Sequence, residues 1–257
     1  DGSGSLELLS AVPPGSSAVE ILAHTLTADS SRVVFSYRTT PAGLHLAVRA
    51  LDAGQPQLEL VTSLSAPQNK LHFEVAADAS FVAFVDQLTP GVSELFRVPL
   101  DGSLPPLRLN GALVSAGDVG GDVLRGDRYP FTLSPDSAHV VYLADQDVNG
   151  VNELYGGPSD GSLPAVKLSG ALVAGGDVQL DPGGEYRISP DSTRVVFRAE
   201  RDVNGEIELF SAPLDGSLAP VQLNGALVAG GDVSAFCISP DSTRVVYLAD
   251  EAQDELF

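Results

Sequence analysis

Residues 131–159, FTLSPDSAHVVYLADQDVNGVNELYGGPS, form a unit whose parts recur along the whole chain at a near-fixed interval. FTL is apolar and extended, SPDS is turn-forming, HVVYLA has strand composition, DQDVNG is a polar loop with a glycine, and ELY opens another strand. In Ser134-Pro135-Asp136-Ser137 the proline presets φ, and the aspartate and serine side chains can bond back to nearby backbone N–H groups. The strands on either side therefore fold against each other.

The turn aspartate recurs at Asp29 (TADS), Asp78 (AADA), Asp136, Asp191 and Asp241 (each SPDS), at intervals of 49, 58, 55 and 50 residues. After each comes a β-branched and aromatic run: RVVFSYR from Arg32, FVAFVDQ from Phe81, HVVYLAD from His139, RVVFRAE from Arg194 and RVVYLAD from Arg244. These read as half-buried strands. A third strand follows at Leu44 (LHLAVRAL), Glu94, Glu153, Glu208 and Glu255. A second turn then appears at Asp1, Asp52, Asp101, Asp160 and Asp215, leading into the short strands LELLS, LELVTS, LRLNG, VKLSG and VQLNG.

Four antiparallel strands per unit of roughly 50 residues predict an all-β fold, a β-propeller of five blades. The units are approximately 1–51, 52–100, 101–159, 160–214 and 215–257, within a single domain over residues 1–257. The repeat frame is rotated: the chain opens on the turn before strand four and stops inside strand three. We therefore expect the N-terminal LELLS to lie beside the C-terminal ELF, so that N- and C-terminal strands close one blade and satisfy both sheet edges. The alternative is a piece cut from a longer array.

SPDS followed by RVVY, a polar loop, ELF and then PLDGS resembles the TolB-like, WD-repeat-like β-propeller repeat of bacterial proteins. The resemblance spans essentially the whole chain and is best over residues 131–257. It is looser before residue 100, where TADS and AADA stand for SPDS and His45 stands for the glutamate that opens strand three. It implies a propeller and leaves function to the loops.

Hydrophobic residues make up 44% of the chain and the mean hydropathy is +0.13, enough for a sizeable core despite the charge. Acids outnumber bases 34 to 14, a net charge of -20 that repels nucleic acid and anionic membrane surfaces and favours cations or basic partners. No apolar run approaches 18 residues, so no membrane-spanning helix is expected, and with no signal-type segment the chain reads as a mature or excised piece. The single cysteine, Cys237, excludes an intrachain disulfide, and its apolar setting AFCIS predicts a small buried hydrophobe.

In a blade, the connections from strand two to three and from strand four to the next blade emerge on one face. That face collects DQDVNG at Asp145, ERDVNG at Glu200, and connections carrying Asp118, Asp122, Asp127, Asp177, Asp181 and Asp232. Within it, Asp145, Asp147, Asn149, the Val151 carbonyl and Glu153 fall at positions one, three, five, seven and nine, with Gly150 at six. That spacing can wrap a hard cation and resembles the calcium loops of integrin-type propellers, so Ca2+ is the expected ion. Glu200, Asp202, Asn204 and Glu208 repeat it with a longer first acid and an adjacent arginine, a weaker site. A polar hairpin loop whose Asn-Gly supplies positive φ explains the same letters. In repeat two, Leu88 and Pro90 replace two ligands, and no metal is expected.

No nucleophile elbow, phosphate loop or dinucleotide fingerprint is present, and His24, His45, His72 and His139 fall at unrelated repeat positions, as strand-edge or surface residues would. The expectation is a non-enzymatic binding or scaffold module outside the cytoplasm (periplasmic, extracellular or cell-surface). Its acidic loop face would take a protein, peptide or cationic ligand. It is either a monomer or a self-assembling unit. Two other readings stand beside it: a structural subunit pairing through its terminal strands, and an accessory propeller of a larger hydrolase or lyase.

Overall fold

The computed structural model describes residues 19–40, 43–52, 56–64, 71–89, 91–120, 130–179 and 186–251. Among them every regular element is a strand. LELLS, ELF, Asp122, Asp127 and Asp181 lie outside the described residues, and with them the expected closure of one blade. The chain divides into two compact units, Asp1–Arg108 and Leu109–Phe257.

The first unit holds two four-stranded antiparallel sheets. One runs in order from β1 (Val19–Leu26) through β2 (Arg32–Thr39) and β3 (Gly43–Ala50) to β4 (Leu58–Leu64). The other runs from β5 (Phe73–Val75) through β6 (Phe81–Thr89) and β7 (Val92–Pro99) to β8 (Leu107–Arg108). Val34, Leu46 and Val48 of the first sheet share one core with Val82, Phe84 and Val98 of the second.

The second unit holds the sheet β9 (Phe131–Leu133), β10 (His139–Ala144), β11 (Glu153–Pro158), β12 (Val166–Lys167) and the sheet β13 (Tyr186–Ile188), β14 (Arg194–Ala199), β15 (Glu208–Pro213), β16 (Val221–Gln222). A pair, β17 (Val233–Ile238) and β18 (Val245–Ala249), follows. Each β9 to β16 strand pairs with its sequence neighbour, as a four-strand meander requires.

The SPDS turn closes as its chemistry demands. Ser137 N–H donates to the Ser134 carbonyl (2.7 Å), and Asp136 Oδ1 accepts from the Ser134 hydroxyl (2.6 Å) and the Ala138 N–H (3.0 Å). The same three-residue grip recurs on Asp29, Asp191 and Asp241.

The second strand of each four-strand sheet is buried on both faces, not half-buried. Val140 to Ala144 are all buried, as are Val195 to Ala199; β14 packs Val195 and Phe197 against Val141 and Leu143 on one face and Val196 against Phe236 and Tyr247 on the other. Facing aromatics hold adjacent strands together: Phe84–Phe96, Tyr142–Tyr155 and Phe197–Phe210 stack with centroids 5.6–5.7 Å apart.

Cys237 corrects the sequence expectation. It is exposed, not buried. β17 and β18 bury one face only, Val233, Phe236, Tyr247 and Ala249, against Val196 and Leu209. Cys237 pairs in register with Val246, and both lie on the other face, where Val246 and Leu248 are also exposed. Alternation within a strand sets which residues share a face, and a neighbouring sheet sets which face is covered.

Candidate functional site at the loop ends

The DQDVNG loop ends β10 and leads into β11. Asp145 Oδ2 accepts the Gly150 N–H (2.9 Å) and Oδ1 accepts the Asp118 N–H. This first carboxylate thus closes its own loop and anchors the connection arriving from the preceding repeat. Glu200 copies the first part, accepting from Gly205 N–H (3.0 Å), and also holds the Gln179 amide (2.8 Å). In return, Asp177 Oδ1 accepts from Asn152 N–H, and Asp232 Oδ1 accepts from Ile207 N–H (2.7 Å). The carboxylates of this face are therefore largely engaged by backbone N–H donors, the arrangement in which a buried amide finds its partner.

These contacts require close backbone approach. A Cβ on Gly176 would sit 2.0 Å from the Glu200 carbonyl oxygen, and one on Gly117 would sit 2.6 Å from that of Asp145. The recurring Gly-Asp-Val is thus a steric requirement of the connection packing on the next strand, where Val119 bridges Ala144 and Val178 bridges Ala199.

The remaining predicted calcium ligands meet a cation supplied by the chain itself. Lys167 Nζ lies 2.6 Å from Asp147 Oδ2 and also bonds Glu153 Oε1, while Tyr155 O–H donates to Glu153 Oε2 (2.6 Å). Burial works against the Lys167 charge, but the two carboxylates outweigh it and raise its pKa above the usual lysine value. The Asn149 side chain and the Val151 carbonyl are not drawn to this group by any contact; Val151 N–H bonds Val148. Among the described residues no group of three or more His, Cys, Asp or Glu side chains is disposed to hold a metal ion. As placed, the repeat-three ligands do not make an oxygen cage.

In repeat four Glu208 accepts from Gln222 (2.9 Å) and from Asp202 N–H (3.3 Å), Asp202 pairs with Arg201 (3.3 Å), and Asn204 lies against Gly175. Burial, joined by Asp202 and Glu206, raises the Glu208 pKa, since here a neutral amide stands where Lys167 stands in repeat three.

A rule joins these pairs that reading short motifs did not find. A residue at or near the start of strand three contacts the residue fourteen positions later on strand four: Glu94 with Arg108 (2.9 Å), Glu153 with Lys167, Glu208 with Gln222, and, with the carboxylate on strand four instead, His45 with Glu59 (3.6 Å). The substitution of His45 for glutamate is therefore one half of an exchange, with Glu59 as the other half. His45 is also 6% exposed, buried and not at the surface as expected, stacked on Tyr37 at 4.7 Å with Nε2 3.1 Å from Thr39 Oγ1. The hydroxyl–imidazole–carboxylate order has the form of a proton relay, but Thr39 is 3% exposed and out of reach of a substrate. Equal spacing in every repeat was the signal that could have revealed the rule.

No protein-family model and no curated protein matches the chain. Among solved structures, one from a structural and mechanistic study of two prolyl endopeptidases aligns with a TM-score of 0.52 at 11% identity. That alignment covers 93% of this chain and 35% of that one. A putative TolB from Agrobacterium tumefaciens aligns at 16% identity over 91% of this chain and 71% of its own, with a TM-score of 0.45. TolB from Acinetobacter baumannii aligns at 13% over 91% and 49%, again with 0.45. The chain thus spans about a third of the endopeptidase and half of the Acinetobacter protein. At 11% identity the alignment with the endopeptidase structure is a likeness of fold alone, consistent with the antiparallel four-strand sheets of the described residues.

Proposed function

We propose that the chain is a non-enzymatic binding or scaffold propeller that meets a cationic protein or peptide at its loop ends, outside the cytoplasm. The observation that carries this reading is the division of labour among the loop carboxylates. Asp145, Asp177, Glu200 and Asp232 brace the connections. Asp147 and Asp202, at the loop tips, keep half of their side-chain surface in water. A rigid scaffold whose tip carboxylates, though paired with Lys167 and Arg201, stay half in water suits recognition, and none of the contacts described assembles a nucleophile, base and accessible cavity.

A fluorescent Lys-rich peptide, titrated at 20 and 500 mM salt, tests this. Binding that weakens with salt and with the double change Asp147→Asn and Asp202→Asn supports it. Equal binding of a neutral peptide of the same length, or none of the basic one, overturns it.

Five blades in one domain over residues 1–257, closed by LELLS beside ELF, belong to the same proposal. So does calcium at Asp145, Asp147, Asn149, the Val151 carbonyl and Glu153, but only in competition with Lys167. Calcium should therefore raise the melting temperature of Lys167→Met more than that of the parent. Calorimetry showing no uptake by Lys167→Met at millimolar calcium removes the metal from the reading. The accessory-module reading is tested separately, by whether a hydrolase domain shares the reading frame.

A further inference from the structure

The turn ends of the blades, opposite the loops, carry a cleft of different character. Between the β13–β16 sheet and β17–β18 lies a cavity of about 300 Å3, lined by Arg194 and Arg244 over an apolar floor of Val196, Leu223, Ile238 and Val245. Two of the fourteen basic residues of a chain of net charge -20 converge on it.

Arg194 opens β14, and Arg244 immediately precedes β18. In repeat one the corresponding Arg32 donates Nη2 to the Ala79 carbonyl of the next turn (3.1 Å). Arg194 instead turns to its own sheet: Nε donates to Ser211 Oγ (2.8 Å) and Nη2 to the Ser211 carbonyl (3.3 Å), which orients the fork and leaves Nη1 uncommitted. Arg244 is fixed through its backbone by Ser239, and its side chain makes no hydrogen bond or ion pair among the described residues.

The polar groups nearby are already matched. Ser242 Oγ accepts from Asp191 N–H, Ser189 donates to Asp191, and Thr243 donates to Asp241. Those two aspartates are thus engaged within their own turns. What remains unmatched in the cavity is guanidinium N–H, whose planar fork suits a carboxylate or phosphate.

The preceding interface shows why the cleft is particular to this place. There Leu168, in the position of Leu223, is 1% exposed, Gly156 replaces Ser211, and His139 replaces Arg194. There Leu168 is covered within a core that includes Leu214 and Leu172, whereas Leu223 is only partly buried.

We infer that this cleft binds a small amphiphilic organic anion, with its charged group on Arg194 and Arg244 and its apolar body against Val196, Leu223 and Ile238. The site is separate from the loop ends, so its failure leaves the peptide-binding reading untouched. Methyl NMR of the full chain, titrated with 4-phenylbutyrate, 4-phenylbutyl phosphate, inorganic phosphate and 4-phenylbutanol, provides the test.

Expected are shifts confined to the Val196, Leu223, Ile238 and Val245 methyls with one or both aryl anions, the tighter of which identifies the preferred charged group. Affinity should fall at least tenfold in Arg244→Gln and partly return in Arg244→Lys. Because Arg244 is exposed, both variants should keep the parent spectrum outside the cleft; if Arg244→Gln does not, the alcohol comparison on the parent chain decides alone. Equal binding of phenylbutanol, equal binding of inorganic phosphate, or no shift at millimolar anion each overturns the inference.

Discussion

Ala79 and Ser192 stand at the same place in their turns, with φ of 57° and 60°, in a region that costs an L-residue roughly 1–2 kcal/mol. They differ in what the side chain does there. Ser192 Oγ accepts the Asp136 N–H of the preceding turn (3.0 Å), whereas Ala79 has no side-chain polar atom. Ala79→Gly should therefore hold or raise the melting temperature, and Ser192→Gly should lower it relative to Ala79→Gly, the lost bond being worth about 1 kcal/mol. Equal shifts in differential scanning calorimetry would show that the hydroxyl contributes nothing. The aspartates one residue earlier give a pH signature. The Thr27 hydroxyl, then the N–H and hydroxyl of Ser31, hold Asp29 down at about 2, and serine and threonine donors likewise lower Asp78, Asp191 and Asp241. For Asp136, burial opposes the shift, but the Ser134 hydroxyl and Ala138 N–H prevail. A depressed carboxylate stabilises the fold above its unfolded pKa, near 4, and loses that contribution as pH falls through the folded value. Melting temperature should therefore decline between about pH 4 and pH 2, and the decline should be shallower in Asp191→Asn.

At the level of strands, the fourteen-residue pair is the unit to perturb. Glu153 is 4% exposed and its charge is matched by Lys167 and Tyr155, so Lys167→Glu should cost about 2 kcal/mol or more by leaving like charges together. The exchange Glu153→Lys with Lys167→Glu should recover much of that loss, since repeat one already carries its carboxylate, Glu59, on strand four opposite His45. A double-mutant cycle showing no coupling would reduce the rule to coincidence. The same pair marks where the sequence was legible. Asp136 and the strands beside it could be read because their partners lie within five residues, where chain geometry alone dictates contact. The acidic neighbours of Glu153 in sequence show it as the ninth position of a candidate metal loop, but its partner Lys167 is brought in only by β12 pairing with β11 and is not legible there. Cys237 failed for a related reason: AFCIS is apolar by composition, yet which face of β17 is covered depends on another sheet.

For the whole molecule, the same rule sharpens the proposed closure into a test that does not depend on seeing it. In LELLS, aligned with VKLSG and VQLNG, Glu7 takes the place of Lys167 and Gln222, and Glu255 takes that of Glu153 and Glu208. If these segments complete one blade in the repeat's register, two carboxylates occupy the partner positions. Like charges facing across strands destabilise by roughly 0.2–1 kcal/mol, and an opposite pair contributes about as much in the other direction. Glu7→Arg should then raise the melting temperature at pH 7 by a few degrees, given roughly 2–4 °C per kcal/mol for a chain of this size. The pH trend has its own sign. Two facing carboxylates have raised pKa values, so their contribution improves as pH falls below the ordinary glutamate range, opposite to the turn aspartates. Glu7→Arg should accordingly confer its largest gain at pH 7 and a smaller one at pH 4, and deleting residues 1–10 should lower stability by several kcal/mol, among the largest effects a local change produces. A gain from Glu7→Arg that is the same at both pH values, or unchanged melting after the deletion, would mean that LELLS does not sit beside ELF and that a strand from elsewhere completes the blade.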